Sequence, residues 1–247
     1  MNNYETFKKL HHDTKPLIIA NAWNAKSAQL IEQSGFAAVA TSSGAISNSL
    51  GYDDGEKIPF NELLYIIERM NAKTTIPLTV DFERGYTNDL SELNDNIQRL
   101  VDIGVVGINL EDNQGEDLYL KKLLSIKNYL ERNNLKLFIN ARTDGFLQKI
   151  DSPIETIIRR AKLYKEAGAD GLFVPGISDV PTIKEIASSI DVPLNVVGTP
   201  TLSSFAALSE AGVNRISMAV HLYRAAYNPL DSILKKINSQ QSFAPLY

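Results

Sequence analysis

The chain has 247 residues, of which 44% are hydrophobic and 22% charged, and its formal net charge is −4. This composition suits a globular protein and argues against disorder, and a weakly acidic chain lacks the positive surface that nucleic acid requires. The lack of cysteine excludes disulfides, thiolate metal sites and a cysteine nucleophile. Since the sequence has no apolar run typical of a signal peptide or a membrane span, we expect a soluble, cytoplasmic protein.

One pattern recurs along the chain: an amphipathic helix ends in glycine, and a short apolar strand follows. Glycine just past a helix end readily adopts the left-handed backbone conformation that closes the helix. Strands that are apolar almost throughout are typical of parallel sheets, which are buried on both faces. The four clearest copies of this pattern are centred on Gly35, Gly104, Gly168 and Gly212.

Eight strands are predicted, and a helical pattern follows each of them. They cover residues 17–22, 36–41, 76–83, 105–112, 135–142, 171–175, 193–198 and 215–220. Alternating strands and helices predict a parallel sheet, and eight repeats in a chain of this length favour an α/β fold closed as a (β/α)8 TIM barrel. The alternative is an open Rossmann-type sheet, but no G-x-G-x-x-G motif follows the first strand.

The prediction is one domain over residues 1–247, with an extra helix at its C-terminal end. Residues 228–230, which include Pro229, interrupt the last helical pattern, and a separate helix is predicted over residues 231–237. Residues 229–247, this helix and a loose polar tail, would then be free to pack on a neighbouring subunit.

Polar residues are concentrated at the C-terminal ends of the predicted strands, where barrel enzymes place their active sites. The opposite strand ends carry no such residues. The polar strand-end residues are Asn21, Thr41, Ser42, Ser43, Asp81, Glu83, Asn109, Glu111, Asp112, Asn140, Arg142 and Asn195. This asymmetry predicts a functional site at one rim of the barrel.

Three of these strand-end residues are acids that indicate a metal site. Asp81 and Glu83 are two apart on one strand and should face the same side, with Glu111 on the neighbouring strand. Three close carboxylates favour a cation, and oxygen ligands without cysteine suit Mg²⁺ or Mn²⁺ rather than Zn²⁺. The alternative is a set of exposed acids paired with Arg84 and Arg142.

Three further features have both a functional and a structural interpretation. The planar guanidinium of Arg142 can bind a carboxylate at two points, or it can form a salt bridge to Glu111 or Asp112. Residues 42–44 can cradle a carboxylate or form an ordinary polar turn. Asp54 lies in a turn-rich segment and can either hang over the barrel mouth or belong to a simple turn.

At these residues the chain resembles the isocitrate lyase/phosphoenolpyruvate mutase superfamily, between residues 7 and 228. Each matching segment is modest alone, but all of them follow the expected order on the expected strands. They are residues 21–28 (NAWNAKSA), 42–44 (SSG) with 49–55 (SLGYDDG), 81–86 (DFERGY), 109–112 (NLED) and 140–144 (NARTD).

The resemblance implies Mg²⁺, a small oxo-acid substrate and a pyruvate-like enolate intermediate. The metal ligands would be Asp81, Glu83 and Glu111, some through water, and Asp54 and Arg142 would act as catalytic residues. Family members are usually tetramers that exchange their last helix, so we expect a homo-oligomer, either a tetramer or a dimer. The predicted substrate-binding residues are Trp23, Ser42, Ser43, Gly44, Asn140, Arg142 and Asn195.

The segment after the fourth strand departs from the family pattern. Lyases of this family carry a Lys-Lys/Arg-Cys-Gly-His loop there, and phosphonate mutases carry a Lys-Thr-Asn-Ser type gate, whereas residues 113–119 read NQGEDLY. We therefore do not expect isocitrate or methylisocitrate lyase activity. A Mg²⁺-dependent lyase or decarboxylase is the preferred prediction, with Tyr86 and Tyr119 as candidate proton donors. The alternatives are a phosphorus–carbon bond enzyme and a catalytically silent carboxylate binder.

Overall fold

Eight parallel strands form one closed barrel in the computed structural model, which describes residues 2–202 and 204–247. The strands are β1 (Leu17–Ala22), β2 (Val39–Thr41), β3 (Leu78–Asp81), β4 (Gly107–Glu111), β5 (Phe138–Arg142), β6 (Gly171–Phe173), β7 (Leu194–Val197) and β8 (Arg215–Ser217). Each strand pairs with the next along the chain, and β8 pairs with β1 to close the barrel. The predicted (β/α)8 fold is confirmed.

Helices surround this barrel and connect its strands. They are α1 (Asn3–Leu10), α2 (Ala25–Gln33), α3 (Ser43–Ser49), α4 (Phe60–Asn71), α5 (Leu90–Asp102), α6 (Glu116–Arg132), α7 (Pro153–Glu166), α8 (Val180–Ser189), α9 (Phe205–Glu210) and α10 (His221–Gln240), with short 3-10 turns at Pro200–Leu202 and Ala244–Leu246. In the part of the chain that the structure describes, no helix combines the length and apolarity needed to cross a bilayer.

The repeated helix–glycine–strand pattern has the predicted geometry. Gly35 and Gly104 have φ of +85° and +88°, and their N–H groups donate to Glu32 O and Val101 O at 2.9 Å. Four of the eight strands, β2 to β5, begin two or three residues later than predicted, because the residues before them form the connecting loop before the ladder starts. β3 also ends earlier, at Asp81, which matters for the candidate site.

The N-terminal end of the barrel is closed by α1. Its Phe7 is fully buried and packs edge-on against Phe138 at 5.5 Å between ring centroids. His11 stacks on the same Phe138 ring at 4.2 Å. Because this end is filled with aromatic side chains, the barrel interior is reached from the opposite end, where the strands have their C-termini.

The separate C-terminal helix predicted over residues 231–237 is not observed. Instead α10 runs without interruption from His221 to Gln240 and contains Pro229. Proline removes one helix hydrogen bond and crowds the preceding turn, but no residue of this helix is buried, so water can satisfy the freed carbonyl. The Ser232 hydroxyl also donates to Asn228 O at 3.0 Å, which supports this turn.

Candidate active site

A cavity of about 210 Å³ opens at the C-terminal ends of the strands, as expected for an active site in this fold. It is smaller than the 300–1,000 Å³ typical of pockets for drug-sized ligands, so it suits a small molecule. The residues that line it are Asn21, Ser42, Ser43, Gly44, Asp54, Asp81, Asn109, Arg142, Leu147, Phe173, Pro175, Val197, Ser217, Ala219 and Val220.

Asp81 is the last residue of β3 and is oriented by β2 and α3. Its N–H donates to Thr41 Oγ1 at 2.8 Å, and its Oδ2 accepts from Ser43 Oγ at 2.8 Å and from Ser43 N at 3.4 Å. Its Oδ1 is buried and has no partner within residues 2–202 and 204–247. Burial raises the pKa of Asp81, while the charge of Arg142 opposes that rise.

The strand period from which a shared face for Asp81 and Glu83 was predicted does not extend to Glu83. β3 ends at Asp81, and Glu83 has a left-handed backbone with φ of +45°, an uncommon conformation for a residue with a side chain. Its Oε2 accepts from Glu56 N and its Oε1 from Tyr86 Oη, both at 2.8 Å. Burial, and then the charge of Asp81, raise the pKa of Glu83 to about 8. Glu83 therefore lies near the cavity without lining it.

Glu111 and Arg142 form an ion pair beside the cavity. Arg142 Nη1 lies 2.9 Å from Glu111 Oε2, and its Nε and Nη2 donate to Asp144 at 2.7 and 2.9 Å. Burial raises the pKa of Glu111 to about 7, although Arg142 acts in the opposite direction. The salt bridge that the sequence offered as an alternative is thus formed with Glu111, and Arg142 also faces the cavity.

The Asp112 carboxylate does not form the salt bridge to Arg142 that the sequence offered as an alternative. Its Oδ2 accepts from Tyr164 Oη at 2.7 Å and from Arg160 Nη1 at 3.0 Å. This buried network ties the end of β4 to α7 and leaves Arg142 to Glu111 and Asp144.

The Ser42–Gly44 segment and Asp54 meet at the cavity. Ser42 caps the N-terminus of α3, and its Oγ accepts from Ala45 N at 3.4 Å. A Cβ atom added at Gly44 would lie 2.9 Å from Asp54 Oδ2, so only glycine lets the loop acid approach this closely. The two predicted elements are therefore brought together, and both line the cavity.

Three predicted substrate-binding residues are not part of the cavity wall. Trp23 packs edge-on against Tyr223 at 5.4 Å and lines a separate apolar recess. Asn140 and Asn195 are buried beneath the cavity, where Asn140 Nδ2 donates to Asn195 Oδ1 at 3.0 Å and to Asn109 Oδ1 at 2.8 Å. These amides lie outside the cavity lining and are bonded to it through Asn109.

Several cavity residues were not among the predicted site residues. Asn21 and Asn109 had the same strand-end signal as the others, and Asn21 also joins three strands by donating to Thr41 O at 2.8 Å and accepting from Met218 N at 2.9 Å. The apolar lining residues carry no chemical signal in a sequence, because apolar strand-end residues usually belong to the core.

The connection between β4 and α6 is short. Helix α6 begins at Glu116, so residues 112–115 are all that separate it from the strand.

The two tyrosines considered as proton donors are both bonded elsewhere. Tyr119 is buried and donates to Leu110 O at 2.8 Å, and Tyr86 donates to Glu83. Neither tyrosine lines the cavity.

The acids at this rim have the chemistry that a divalent cation requires, although their side chains do not converge on a single point. Within residues 2–202 and 204–247, no three His, Cys, Asp or Glu side chains are arranged to hold one metal ion. The unpartnered Oδ1 of Asp81 is nevertheless a free buried ligand atom, and the charge of Asp81 helps to raise the pKa of both Glu83 and Glu111. Mutually repelling oxygen donors of this kind suit a hard cation such as Mg²⁺.

Comparison of the sequence with known proteins identifies relatives along most of the chain. The sequence model of the phosphoenolpyruvate phosphomutase family matches residues 7–238. An uncharacterised protein of Mycobacterium tuberculosis is 32% identical over 228 residues, covering 90% of this chain and 86% of that protein. A 2-methylisocitrate lyase of Shewanella oneidensis is 26% identical, with coverage of 89% and 80%. An oxaloacetate decarboxylase of Pseudomonas fluorescens is 27% identical, with coverage of 87% and 78%.

Solved structures show the same relationship. A phosphonomutase homologue from Burkholderia cenocepacia superposes with a TM-score of 0.89 and 32% identity, covering 94% of this chain and 99% of that one. A phosphonopyruvate hydrolase solved with oxalate and Mg²⁺ superposes with a TM-score of 0.86 at 20% identity, with coverage of 99% and 89%, and at this identity it shows the fold alone. The chain belongs to the phosphoenolpyruvate mutase/isocitrate lyase family of enzymes.

Proposed function

We propose that this chain is a Mg²⁺- or Mn²⁺-dependent lyase or decarboxylase that acts on a small 2-oxo or 2-hydroxy carboxylate through a pyruvate-like enolate. The observation that carries this proposal is the unpartnered Oδ1 of Asp81 at a small cavity that Arg142 and Gly44 also line. The 2-methylisocitrate lyase and oxaloacetate decarboxylase relatives support this reaction class.

The residues of the cavity have different proposed roles. Asp81 would hold the cation, with Glu83 and Glu111 behind it and Asp54 on the loop. The guanidinium of Arg142 and the polar groups of Ser43 and Gly44 would orient the substrate carboxylate. When bound, Mg²⁺ supplies the positive charge that stabilises the oxyanion of the developing enolate.

Pyruvate release from a panel of small oxo-acids and hydroxy-acids, with and without EDTA, tests the proposal. We expect turnover that EDTA abolishes, and turnover that is insensitive to the chelator would contradict the metal role.

Arg142→Lys keeps the positive charge but loses the planar guanidinium that can bind a carboxylate at two points. We expect kcat/KM to fall about 100-fold, as for the loss of an oxyanion contact. Arg159→Lys is the matched control, because Arg159 is exposed and its guanidinium is bonded to Glu116, away from the cavity.

Phosphorus–carbon chemistry is the second candidate, because the matching family is that of the phosphoenolpyruvate phosphomutases. Phosphorus NMR with phosphonopyruvate distinguishes it, since a new phosphorus signal would favour this chemistry over carbon–carbon cleavage. The short β4–α6 connection favours a third candidate, a silent carboxylate binder. Calorimetry that detects oxalate binding, together with no turnover of any acid, would support that candidate.

We also propose a homo-oligomer, a dimer or a tetramer, formed through α10. This helix has 20 residues, none of them buried, and it exposes Tyr227, Leu230 and Leu234 at 41%, 47% and 56%. An apolar face of this size on a long helix is typical of a surface that a second subunit covers.

A further inference from the structure

Two loops at the rim of the barrel are fastened to each other by one side chain, that of Glu56. The first loop, residues 53–56, carries Asp54, and the second loop, residues 83–86, carries Glu83. Both loops lie outside the helices and strands, so ladder and helix hydrogen bonds do not fix their positions. The contacts between the two loops therefore decide how these two acids lie relative to each other.

The carboxylate of Glu56 accepts hydrogen bonds along the second loop. Its Oε1 accepts from Arg84 N and from Tyr86 N, both at 2.8 Å. Its Oε2 accepts from Arg84 Nε at 3.1 Å and lies 3.0 Å from Arg84 Nη2. Contacts also run in the opposite direction, because Glu56 N donates to Glu83 Oε2 at 2.8 Å and Arg84 Nη2 donates to Gly55 O at 3.0 Å. Hydrogen bonds of charged groups are the strong ones, so this carboxylate is the main link between the loops.

The second loop is also held from its other side, by Lys122 on α6. Lys122 is 2% exposed, and its Nζ donates to Arg84 O at 2.6 Å, to Asn88 Oδ1 at 3.0 Å and to Gln114 Oε1 at 3.1 Å. The N–H and the C=O of Arg84 are thus both bonded to charged side chains from other elements. Because Lys122 bonds the second loop without touching the first, the link to the loop of Asp54 depends on Glu56.

These contacts hold backbone conformations that are unfavourable in isolation. Glu56, Glu83 and Tyr86 have left-handed φ angles of 61°, 45° and 62°. Residues with a side chain keep such conformations only where surrounding contacts fix them. The acids also repel each other, since the charge of Asp54 contributes, after burial and the charge of Asp81, to the raised pKa of Glu83. Without Glu56 we expect the two loops to separate.

We propose that Glu56 is a positioning residue for the cation site, which fastens the loop of Asp54 to the loop of Glu83 so that both acids approach a bound cation together. This inference rests on the proposed function and adds to it the residue that arranges two of its acids. Glu56 is not among the described residues that line the cavity, so it acts through the two loops rather than on the substrate.

Calorimetry with Mg²⁺ on the full chain tests the effect on the cation. Glu56→Ala removes every bond of the carboxylate, and we expect Mg²⁺ to bind about 10-fold or more weakly, as when an outer partner of a metal ligand is lost. Glu32→Ala is the matched control and should bind Mg²⁺ like the wild type. The Glu32 carboxylate also accepts a backbone N–H from a loop, that of Thr75 at 3.0 Å, but at the opposite end of the barrel. Wild-type affinity in Glu56→Ala would overturn the proposal.

Hydrogen exchange measured by mass spectrometry tests the link between the loops, which a merely structural role would not affect. In the wild type we expect Mg²⁺ to slow exchange in residues 53–56 and in residues 83–86 together. In Glu56→Ala we expect Mg²⁺ to slow exchange in residues 83–86 alone, because the loop of Asp54 no longer follows the loop of Glu83. Protection of both loops by Mg²⁺ in this variant would overturn the proposal.

Glu56→Gln decides the question if Glu56→Ala does not unfold cooperatively. The glutamine oxygen can still accept from Arg84 N and Tyr86 N, but its amide N–H groups would face the Arg84 guanidinium, which is also a donor. We expect a smaller loss than in Glu56→Ala, with Mg²⁺ bound about 3-fold more weakly, since part of the outer contact remains. Wild-type affinity in Glu56→Gln would then overturn the proposal.

The failure of this inference and that of the proposed function give different results, because neither measurement requires turnover. Weaker Mg²⁺ binding and separate protection of the loops in Glu56→Ala, without turnover of any acid by the wild type, would leave the inference standing and defeat the enzymatic proposal. Chelator-sensitive turnover by the wild type, with unchanged Mg²⁺ affinity in Glu56→Ala, would do the opposite. If the wild type binds no Mg²⁺, both fail.

Discussion

Glu83→Gln changes the pH dependence of stability in a direction that the structure fixes. Glu83 is 3% exposed, and burial raises its pKa from an ordinary value of 4.5 to about 8. A carboxyl whose pKa is higher in the folded state binds its proton more tightly there, so the free energy of unfolding falls as pH rises from the unfolded to the folded pKa. Glutamine is neutral throughout and removes this contribution.

The size of the effect follows from the same shift. One pKa unit corresponds to about 1.4 kcal/mol. Between pH 5 and pH 7 the free energy of unfolding of the wild-type protein should therefore fall by about 2 to 3 kcal/mol relative to that of Glu83→Gln. At pH 5 the protonated glutamic acid and glutamine present similar groups to Glu56 N and Tyr86 Oη, and the two proteins should have nearly equal stability.

Urea unfolding in EDTA, at pH values from 5 to 8, measures this difference. The control is Glu68→Gln, an exposed glutamate on α4, whose curve should run parallel to that of the wild type. With saturating Mg²⁺ we expect the order to reverse at pH 8, because a cation stabilises the ionised carboxylate and binds the folded state alone. Parallel curves for Glu83→Gln and wild type without metal would refute the reasoning.

Three further outcomes are expected. Asp81→Ala should abolish the increase in Tm that Mg²⁺ produces while unfolding stays cooperative, and an unchanged increase would remove Asp81 from the metal site. Ser43→Ala should lower the free energy of unfolding by about 1 to 2 kcal/mol, because Asp81 loses a hydrogen bond of 2.8 Å. Urea unfolding measures this change, and an unchanged free energy would mean that water replaces the hydroxyl. Leu234→Glu should reduce the particle mass in light scattering, whereas an unchanged mass would show that this face of α10 is not in the subunit contact.

The fold and the location of the site were accessible from the sequence. The helix–glycine–strand repeats require local information alone, since glycine after a helix and an apolar strand after glycine are properties of short segments. Polar residues at strand ends then marked the rim where Asp81, Arg142, Ser43 and Asp54 meet. These residues lie at one rim because parallel strands bring their C-terminal ends to the same edge whatever the details of packing.

The orientation of individual side chains was decided by tertiary contacts. The two-residue period that paired Glu83 with Asp81 holds only inside a strand, and β3 ends at Asp81. Arg142 pairs with Glu111 and Asp144 because the Asp112 carboxylate is already bonded to Tyr164 and Arg160. Those two residues follow Asp112 by about 50 positions, so their contact with it is a tertiary one.

The sequence by itself determined a closed parallel barrel with an acidic and cationic rim, because backbone propensity and residue chemistry act locally. Only the tertiary structure decided which apolar residues of that rim line the cavity. Phe173, Val197 and Leu147 look like ordinary core residues in the sequence, and they line the cavity only because barrel closure gathers the strand ends and the loops after them around one opening. Whether a side chain faces a cavity is a property of the assembled fold, since it depends on whether other parts of the chain pack over that side chain.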